Sequence, residues 1–331
     1  MTTATVNGTR ERESLGEFLL RAPAVGPALA LIVAIVVFSL ATDTFFDLDN
    51  LSTVVQQSLV VGTLALGQTL IILIAGIDLS NASSMVVATL IMAKLAAAGA
   101  GGFVSLLAGI ALTVLVGLFI GTLATRIKLP AFIITLGTFT GLTAVAKLIA
   151  GGQAVPVTDG LLQWLGTKRY LFGGIPITYG MTLALIMFLI VWYSLTKTAW
   201  GKHVYAVGNA PESARLSGIK VNRTVISVYL VAGFCFGIAA WQALGRTPNA
   251  DPNQFQLGNL DSITAVVLGG TSLFGGRGSV LGTLFGALVV AVLRSGLTQM
   301  GVDGNYQDLA TGALLIAAVV VDRIARRQQQ S

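Results

Sequence analysis

The sequence predicts an all-α, polytopic integral membrane protein with about ten transmembrane helices. Charged residues make up only 10% of its 331 residues, whereas soluble domains hold roughly a quarter. Hydrophobic residues make up 54%, and they cluster in windows of about 20, the length of helix that crosses a bilayer. The chain contains 39 Gly and 8 Pro, and small residues let membrane helices pack closely.

The apolar windows follow one another along almost the whole chain. The third ends in Ala-Ala-Gly at 97–99, and the eighth runs into the glycine-rich sequence GGTSLFGGRGS at 269–279. Because these two windows are short, the pattern is compatible with nine to eleven spans. The ten predicted spans are residues 24–41, 53–75, 82–98, 103–125, 130–150, 179–196, 224–245, 263–274, 283–300 and 307–321.

Lysine and arginine residues orient the predicted helices, because loops on the cytoplasmic side retain these cations. With the N-terminus inside, most of them fall in internal segments, and only Lys168, Arg169 and Arg246 fall in external loops. Within the spans, Arg294 lies near the middle, so we expect it to face protein or a wet cavity. The internal cations are Arg10, Arg12, Arg21, Arg126, Lys128, Lys197, Lys202, Arg215, Lys220, Arg223, Arg277, Arg323, Arg326 and Arg327.

The predicted spans form one membrane domain over residues 23–322, between a disordered cytoplasmic tail at 1–22 and a basic cytoplasmic tail at 323–331. The first apolar run is too long for a cleavable signal peptide, so we expect it to remain in the chain. The net charge of +6 reflects orientation and does not indicate a nucleic-acid partner, because the cations lie in internal loops and tails. We expect membrane lipid to contact the apolar outer surface of the protein.

Catalytic signals are missing from the sequence. One Cys and one His argue against a disulfide framework, a metal site and most His-based catalysis. The patterns GxxxxGK[ST], GxSxG and HExxH do not occur. We therefore expect a membrane protein that is not an enzyme and holds no cofactor. If transport is driven by ATP, the nucleotide is bound by a partner chain.

Residues 76–84, with the sequence GIDLSNASS, interrupt two apolar windows. A carboxylate at the middle of a span costs about 2.5–3.5 kcal/mol on insertion scales, so Asp78 lies at a helix end or faces a polar cavity. In one interpretation, Asp78 or Ser80 caps the third helix, with Ser83 close behind. In the other, a broken helix offers backbone groups and the side chains of Ser80, Asn81 and Ser83 to a polar solute. The two interpretations are compatible.

Other polar residues inside the spans are candidates for a solute pathway. Intramembrane Ser and Thr usually bond the carbonyls of their own helix, whereas Gln carries two donors and needs a partner or water. Gln68 and Gln242 are therefore better candidates than any single Thr. The predicted pathway residues are Gln68, Asp78, Ser80, Asn81, Ser83, Thr135, Thr138, Gln242 and Thr264.

The internal loop from Lys197 to Arg223 predicts a short helix. Asn209 suits an N-cap, Pro211 a first turn and Gly218 a C-terminal stop. Ala214, Leu216 and Ile219 give this helix an apolar side. It suits docking into a groove on a soluble partner, and the alternative is a surface helix on the lipid headgroups.

Four segments carry a resemblance to a known family. They are LGQTLIILIAGIDLS at 66–80, LPAFIITLGT at 129–138, GNAPESARLSGI at 208–219 and AVVLGGTSLFGGRGSVLGTLFGA at 265–287. In this order they make the chain, from Leu51 to its C-terminus, similar to the permease subunits of bacterial ABC importers of the ribose, xylose, arabinose and galactose type. The chain departs from that family at Asn81 and Ala82, where an aliphatic residue and a glycine are usual.

The resemblance implies a multi-pass permease of the bacterial inner membrane, with both termini cytoplasmic. It implies a dimer, expected to be a homodimer, that receives a monosaccharide or polyol from an external sugar-binding protein. It also implies two cytosolic ABC ATPase subunits that dock on the short helix between the sixth and seventh spans. The implied coupling residues are Asn209, Glu212, Ser213, Ala214, Arg215, Leu216, Ser217 and Gly218.

Other transport functions stay open at this point. A neutral polyhydroxylated solute suits a pathway with amides and hydroxyls but few charges, because no ion has to be desolvated. The runner-up is a related permease for branched-chain amino acids or nucleosides. A self-contained secondary transporter or channel is the alternative from another class, and an integral membrane enzyme is a distant third.

Overall fold

A computed structural model describes residues 25–170 and 176–330 of the chain, so the predicted tail at 1–22 lies outside the described residues. In chain order the helices are α1 (Val25–Ala41), α2 (Leu48–Leu73), α3 (Asn81–Ala97), α4 (Gly102–Thr122), α5 (Ala131–Ala150), α6 (Gly160–Gln163), α7 (Tyr179–Lys197), α8 (Ala199–Asn209), α9 (Pro211–Leu216), α10 (Val221–Arg246), α11 (Gly258–Leu268), α12 (Val280–Gln299) and α13 (Gly304–Gln330). A π-helical turn over Leu123–Ile127 extends α4, and a 3-10 turn over Trp164–Gly166 follows α6. The short strands are β1 (Val155–Pro156), β2 (Lys168–Tyr170), β3 (Pro176–Thr178) and β4 (Asn249–Ala250).

The predicted all-α, multi-pass membrane fold is confirmed. Within the described residues, six helices are long and apolar enough to cross a membrane, namely α2, α4 with its π-helical turn, α5, α7, α10 and α12. Helices α1, α3 and α11 are apolar but shorter. Each of the ten predicted spans overlaps a helix, while the number of actual crossings stays a prediction. Helix α13 continues to Gln330, so most of the segment predicted as a basic tail is helical.

The predicted eighth span, residues 263–274, is wrong in its position. Helix α11 begins five residues earlier, at Gly258, and ends at Leu268. Beyond Leu268, Gly270, Gly275 and Gly276 have φ angles of +77°, +83° and +72°. These left-handed conformations are incompatible with a continuing α-helix, so the glycine-rich stretch forms a loop before α12.

The centre of the molecule is built on α2 and α10. Helix α2 packs against α7, α10, α11 and α12, and α10 also packs against α3 and α4. The α4–α10 contact depends on glycine. A Cβ at Gly117 would lie 2.3 Å from the carbonyl oxygen of Tyr229, and one at Gly233 would lie 2.5 Å from that of Thr113. Small residues thus bring the two backbones together, as membrane helix packing favours.

The connection between α5 and α7 folds against the C-terminal end of α10. Strand β1 pairs with β4, with Val155 opposite Ala250. The indole nitrogen of Trp241 donates to the carbonyl of Leu161 at 2.9 Å. The ring of Trp164 stacks on Tyr179 with a centroid distance of 4.5 Å. The described parts of this connection, residues 151–170 and 176–178, therefore pack against α10 and the start of α7.

The predicted short helix is present as α9, with Pro211 at its first position. The predicted cap is wrong, because Asn209 is the last residue of α8 and Ala210 takes the N-cap position. Helix α8 was not predicted. Gly218, with φ +86°, follows the C-cap Ser217 and ends the helix as expected.

Candidate functional site

The chain between α2 and α3 is a helix break whose backbone groups are served by side chains from other helices. The hydroxyl of Thr135 in α5 donates to the carbonyl of Ile77 at 3.1 Å. The amide of Asn259 in α11 donates to the carbonyl of Leu79 at 3.2 Å. Unpaired backbone groups are costly in lipid because no water can replace the missing partner. These bonds let the break lie inside a membrane protein.

The amide of Gln68 completes this set from α2. In one orientation its oxygen accepts from the amide of Asn81 at 3.2 Å. Turned by 180°, it accepts from the N–H of Asp78 and donates to the carbonyl of Asp78, each at 3.2 Å. We assign the second orientation, because it satisfies both backbone groups of a fully buried residue and leaves Asn81 its bond to Ser262. Three consecutive carbonyls, from Ile77 to Leu79, thus have side-chain donors.

The side chain of Asp78 stabilises the turn that precedes α3. Its Oδ1 accepts from the backbone N–H of Ser80 at 2.7 Å and from the Ser80 hydroxyl at 2.6 Å. Ser80 takes the N-cap position of α3 without a side-chain capping bond, and the Ser83 hydroxyl donates to the Ser80 carbonyl at 2.9 Å. Asp78 and Ser80 are both buried. The capping interpretation correctly places Ser80 at the N-cap of α3. Its side chain does not cap the helix, however, because it bonds the Asp78 carboxylate instead.

The N-termini of α3 and α11 meet at this break. The amide of Asn81 donates to the hydroxyl of Ser262 at 2.8 Å, and a Cβ at Gly258 would lie 3.1 Å from the Cβ of Ala82. Two positive helix-dipole ends therefore converge on one polar cluster. The sequence analysis missed Asn259 and Ser262. Their spacing of three places both on one face of a helix, which was the available signal.

The remaining predicted pathway residues are spread over the molecule. Thr138 and Thr264 bond the carbonyls of their own helices, at Ile134 and Leu260. Gln242 is buried, and among the described residues neither atom of its amide has a hydrogen-bond partner. It lines a cavity of only about 10 Å³ together with Gln56 and Arg246. The structure therefore brings Gln68, Asp78, Ser80, Asn81, Ser83 and Thr135 together at the helix break. Among the described residues, Thr138, Gln242 and Thr264 make no hydrogen bond to this group.

Ser83 lies at the edge of a larger cavity of about 330 Å³, between α3, α5 and residues 252–257. We call it the α3–α5 cavity. Phe139 and Thr143 of α5 form its other side, and Lys147 lies at its rim. Ser83 is thus the predicted pathway residue that links the helix break to an open space of the size of a small-molecule site.

A second cavity, of about 570 Å³, surrounds Arg294. The Nη2 atom of Arg294 donates to Oδ1 of Asp261 at 2.8 Å and to Oδ1 of Asp308 at 2.9 Å. We call this space the ion-pair cavity. It lies between α2, α11, α12, α13 and residues 253–257. Residues 254–257 also line the α3–α5 cavity. The prediction that Arg294 faces protein or a cavity is confirmed, whereas its pairing with two acidic residues was not predicted.

Helix α9 presents polar side chains on an exposed surface. Glu212 and Arg215 form an ion pair at 3.6 Å with both side chains exposed. Leu216 is 90% exposed, whereas Ala214 is buried. The predicted apolar residues therefore do not share one face, because Ala214 packs against the protein and Leu216 points to solvent. Ser213, Ser217 and Gly218 are exposed as well. Because an exposed ion pair contributes little stability, a partner protein could bond Glu212 and Arg215 at little cost to the fold.

Metal binding has no support in the described part of the chain, where no group of three His, Cys, Asp or Glu side chains could hold an ion.

Comparisons with known proteins give a family for this arrangement. The family model described as branched-chain amino acid transport system / permease component matches residues 50–319. A fructose import permease protein of Rhizobium meliloti is 38% identical over 322 residues, covering 95% of this chain and 89% of that protein. A ribose import permease protein of Escherichia coli K12 is 35% identical over 336 residues, covering 97% and 99%. A galactose/methyl galactoside import permease protein of Haemophilus influenzae is 30% identical over 322 residues, covering 92% and 95%.

The resemblance carried by the four segments is therefore confirmed. Matches of this length include both sides of the helix break and both of the larger cavities. The chain belongs to this family of transport-system permease components.

Proposed function

We propose that this chain is the membrane-spanning permease subunit of an ABC importer that carries a monosaccharide or polyol. The observation that carries the proposal is the identity of 30–38% to three sugar import permeases over at least 92% of the chain. The proposed location is the bacterial inner membrane, with both termini cytoplasmic, as the distribution of Lys and Arg predicts.

ATP is proposed to be bound by cytosolic ATPase subunits that dock on α9. Support comes from the surface of this helix, where Leu216, Glu212 and Arg215 are exposed while Ala214 packs inward. An exposed leucine flanked by opposite charges suits a groove with an apolar floor and a polar rim. The chain itself holds no phosphate-binding GxxxxGK[ST] pattern, so this chain is proposed to transmit the work of ATP hydrolysis without performing it.

The pathway proposal keeps the residues predicted from the sequence but gives them two roles. Gln68, Asp78, Ser80, Asn81 and Thr135 are proposed to hold the helix break in shape, because their side chains bond the backbone of the break or one another or a neighbouring helix. Ser83, Thr138, Gln242 and Thr264 remain proposed pathway residues, and of these Ser83 borders the α3–α5 cavity.

A second copy of the chain and an external sugar-binding protein complete the proposed importer. Helix α5 supports the proposal of a second copy, because few of its side chains are buried. A Cβ on either Gly137 or Gly141 would meet nothing within 4 Å. This small-xxx-small spacing lets another helix approach closely. Native mass spectrometry of the purified permease tests this proposal, and a strictly monomeric chain would contradict it.

The family description favours one alternative, a permease for branched-chain amino acids. Uptake by proteoliposomes that contain the permease, its ATPase and its binding protein separates the two proposals. We expect ATP-dependent uptake of fructose, ribose or galactose and none of leucine. Uptake of leucine alone would favour the alternative, and sugar uptake in the absence of the ATPase would overturn the ABC importer.

A further inference from the structure

The ion-pair cavity contains polar groups that no protein partner uses. Each carboxylate of Asp261 and Asp308 bonds Arg294 through Oδ1, which leaves Oδ2 of both without a hydrogen bond in the described parts of the chain. On the guanidinium side, both bonds use Nη2, so Nη1 of Arg294 likewise has no partner there. Buried polar groups are normally paired. The cavity therefore offers free acceptors and a free donor around one space.

The charges of the cavity sum to zero. Asp261 and Asp308 contribute two negative charges, and Arg294 and Arg246 contribute two positive ones. A cavity without net charge does not concentrate ions of either sign, and an ionic solute would have to break the existing pairs. A neutral solute with several hydroxyls can instead bond the free carboxylate oxygens and the free donor without disturbing those pairs. The amide of Gln57 in α2 also lines this space.

The size and place of the cavity fit a solute in transit. Its volume of about 570 Å³ lies within the ~300–1,000 Å³ of small-molecule sites. Its wall includes the first turns of α11 and α13 and the last turns of α12. In the orientation predicted from the loop cations, all three of these helix ends lie toward the external side.

We propose that the ion-pair cavity binds the transported monosaccharide or polyol after it leaves the external binding protein, with Asp261, Asp308 and Arg294 bonding its hydroxyls. This inference rests on the proposed importer function and adds to it a binding site on the permease itself.

The first test pairs Asp308→Asn with deoxy analogues of the sugar that the wild-type importer carries. Maximal uptake is measured with the binding protein saturated, so that differences in its affinity cancel. Losing a hydrogen bond to a charged group weakens an interaction by about tenfold or more, so we expect one analogue to be carried at least about tenfold more slowly by the wild type. The Asp308→Asn importer should show a clearly smaller preference for the parent sugar, because its amide makes only a neutral hydrogen bond.

The matched control is Asp303→Asn. Asp303 lies five residues before Asp308, immediately before the start of α13. Its side chain is exposed and accepts only a local bond from the N–H of Asn305. We expect it to keep the wild-type preference. If the ratio of the uptake rates of analogue and parent sugar is the same in the wild type and in Asp308→Asn for every analogue, the proposed binding site is wrong. Uptake of the parent sugar by the wild type would still support the importer in that case. Absence of any sugar uptake by the wild type would overturn both.

A second test does not depend on transport. The single cysteine, Cys235, is buried, so a cysteine introduced in the cavity can be followed by a polar thiol reagent. In the assembled importer, we expect saturating sugar to slow the labelling of Gln57→Cys at least severalfold and to leave Asp303→Cys unchanged. Unchanged labelling of Gln57→Cys, in a variant that still transports the sugar, would contradict the site.

Discussion

Replacing Gln68 with Leu removes the side chain that serves both backbone groups of Asp78. Asp78 is 2% exposed, so neither group can turn to solvent. Each buried backbone group without a partner costs about 1–3 kcal/mol, which gives about 2–6 kcal/mol for the pair. Bonds between membrane helices average only ~0.6 kcal/mol, because separated helices find other partners. The break leaves no such partner in the folded state, so we expect Gln68→Leu to lower the free energy of unfolding by at least about 2 kcal/mol.

Cys235 supplies the assay. It is the only cysteine of the chain and is buried, so its reaction with a fluorescent maleimide during heating or denaturant titration reports unfolding directly. The control is Gln56→Leu, which lies on the same helix and removes one bond to the Ser52 hydroxyl, of 3.1 Å, at a half-buried position. If both variants lower the free energy of unfolding equally, to within about 0.5 kcal/mol, the bonds at the break do not hold the fold as argued.

Two further predictions concern the α4–α10 contact and α9. Gly117→Ala should destabilise the protein by about 1–3 kcal/mol, because its Cβ would press on the α10 backbone. Gly312→Ala in α13, a helical position with open space around it, should be neutral or slightly stabilising in the same Cys235 assay, and equal effects would refute the close contact. Exchanging the charges of α9 through Glu212→Lys with Arg215→Glu keeps an intrahelical pair but inverts the pattern offered to a partner. We expect ATP hydrolysis to lose its coupling to uptake while the protein still inserts, and normal ATP-driven uptake would show that docking occurs elsewhere.

Hydropathy predicted most of the helices because lipid-facing segments must be apolar along their whole length. The ranges of α5 and α7 differ from the predicted spans by one residue at most. The prediction failed at α11, whose first turn carries Asn259, Asp261 and Ser262. Polar residues at a buried helix N-terminus lower the hydropathy of the window, and the prediction therefore moved toward the apolar but non-helical sequence after Leu268.

The polar residues of the helix break were identified from the sequence, but their partners were not. Asp78 and Asn81 stand out because polar groups are rare between apolar windows. Nothing local to Asn259 reveals that its amide reaches the carbonyl of Leu79, 180 positions earlier. The acidic partners of Arg294 were missed for a similar reason. Assigning loops to one side of the membrane by their Lys and Arg content considers each charge by its position in the sequence and ignores ion pairs between distant residues. Contacts between distant segments depend on the packing of whole helices.

The three side-chain bonds to Ile77, Asp78 and Leu79 also constrain how the molecule can move. They come from α5, α2 and α11, so these helices are joined to one short stretch of backbone. Sliding any of them past the others would break a bond at a buried or part-buried site, where few replacement partners are available. We therefore expect the three helices to move together as one rigid body, and the rearrangements of a transport cycle to involve the helices packed outside them.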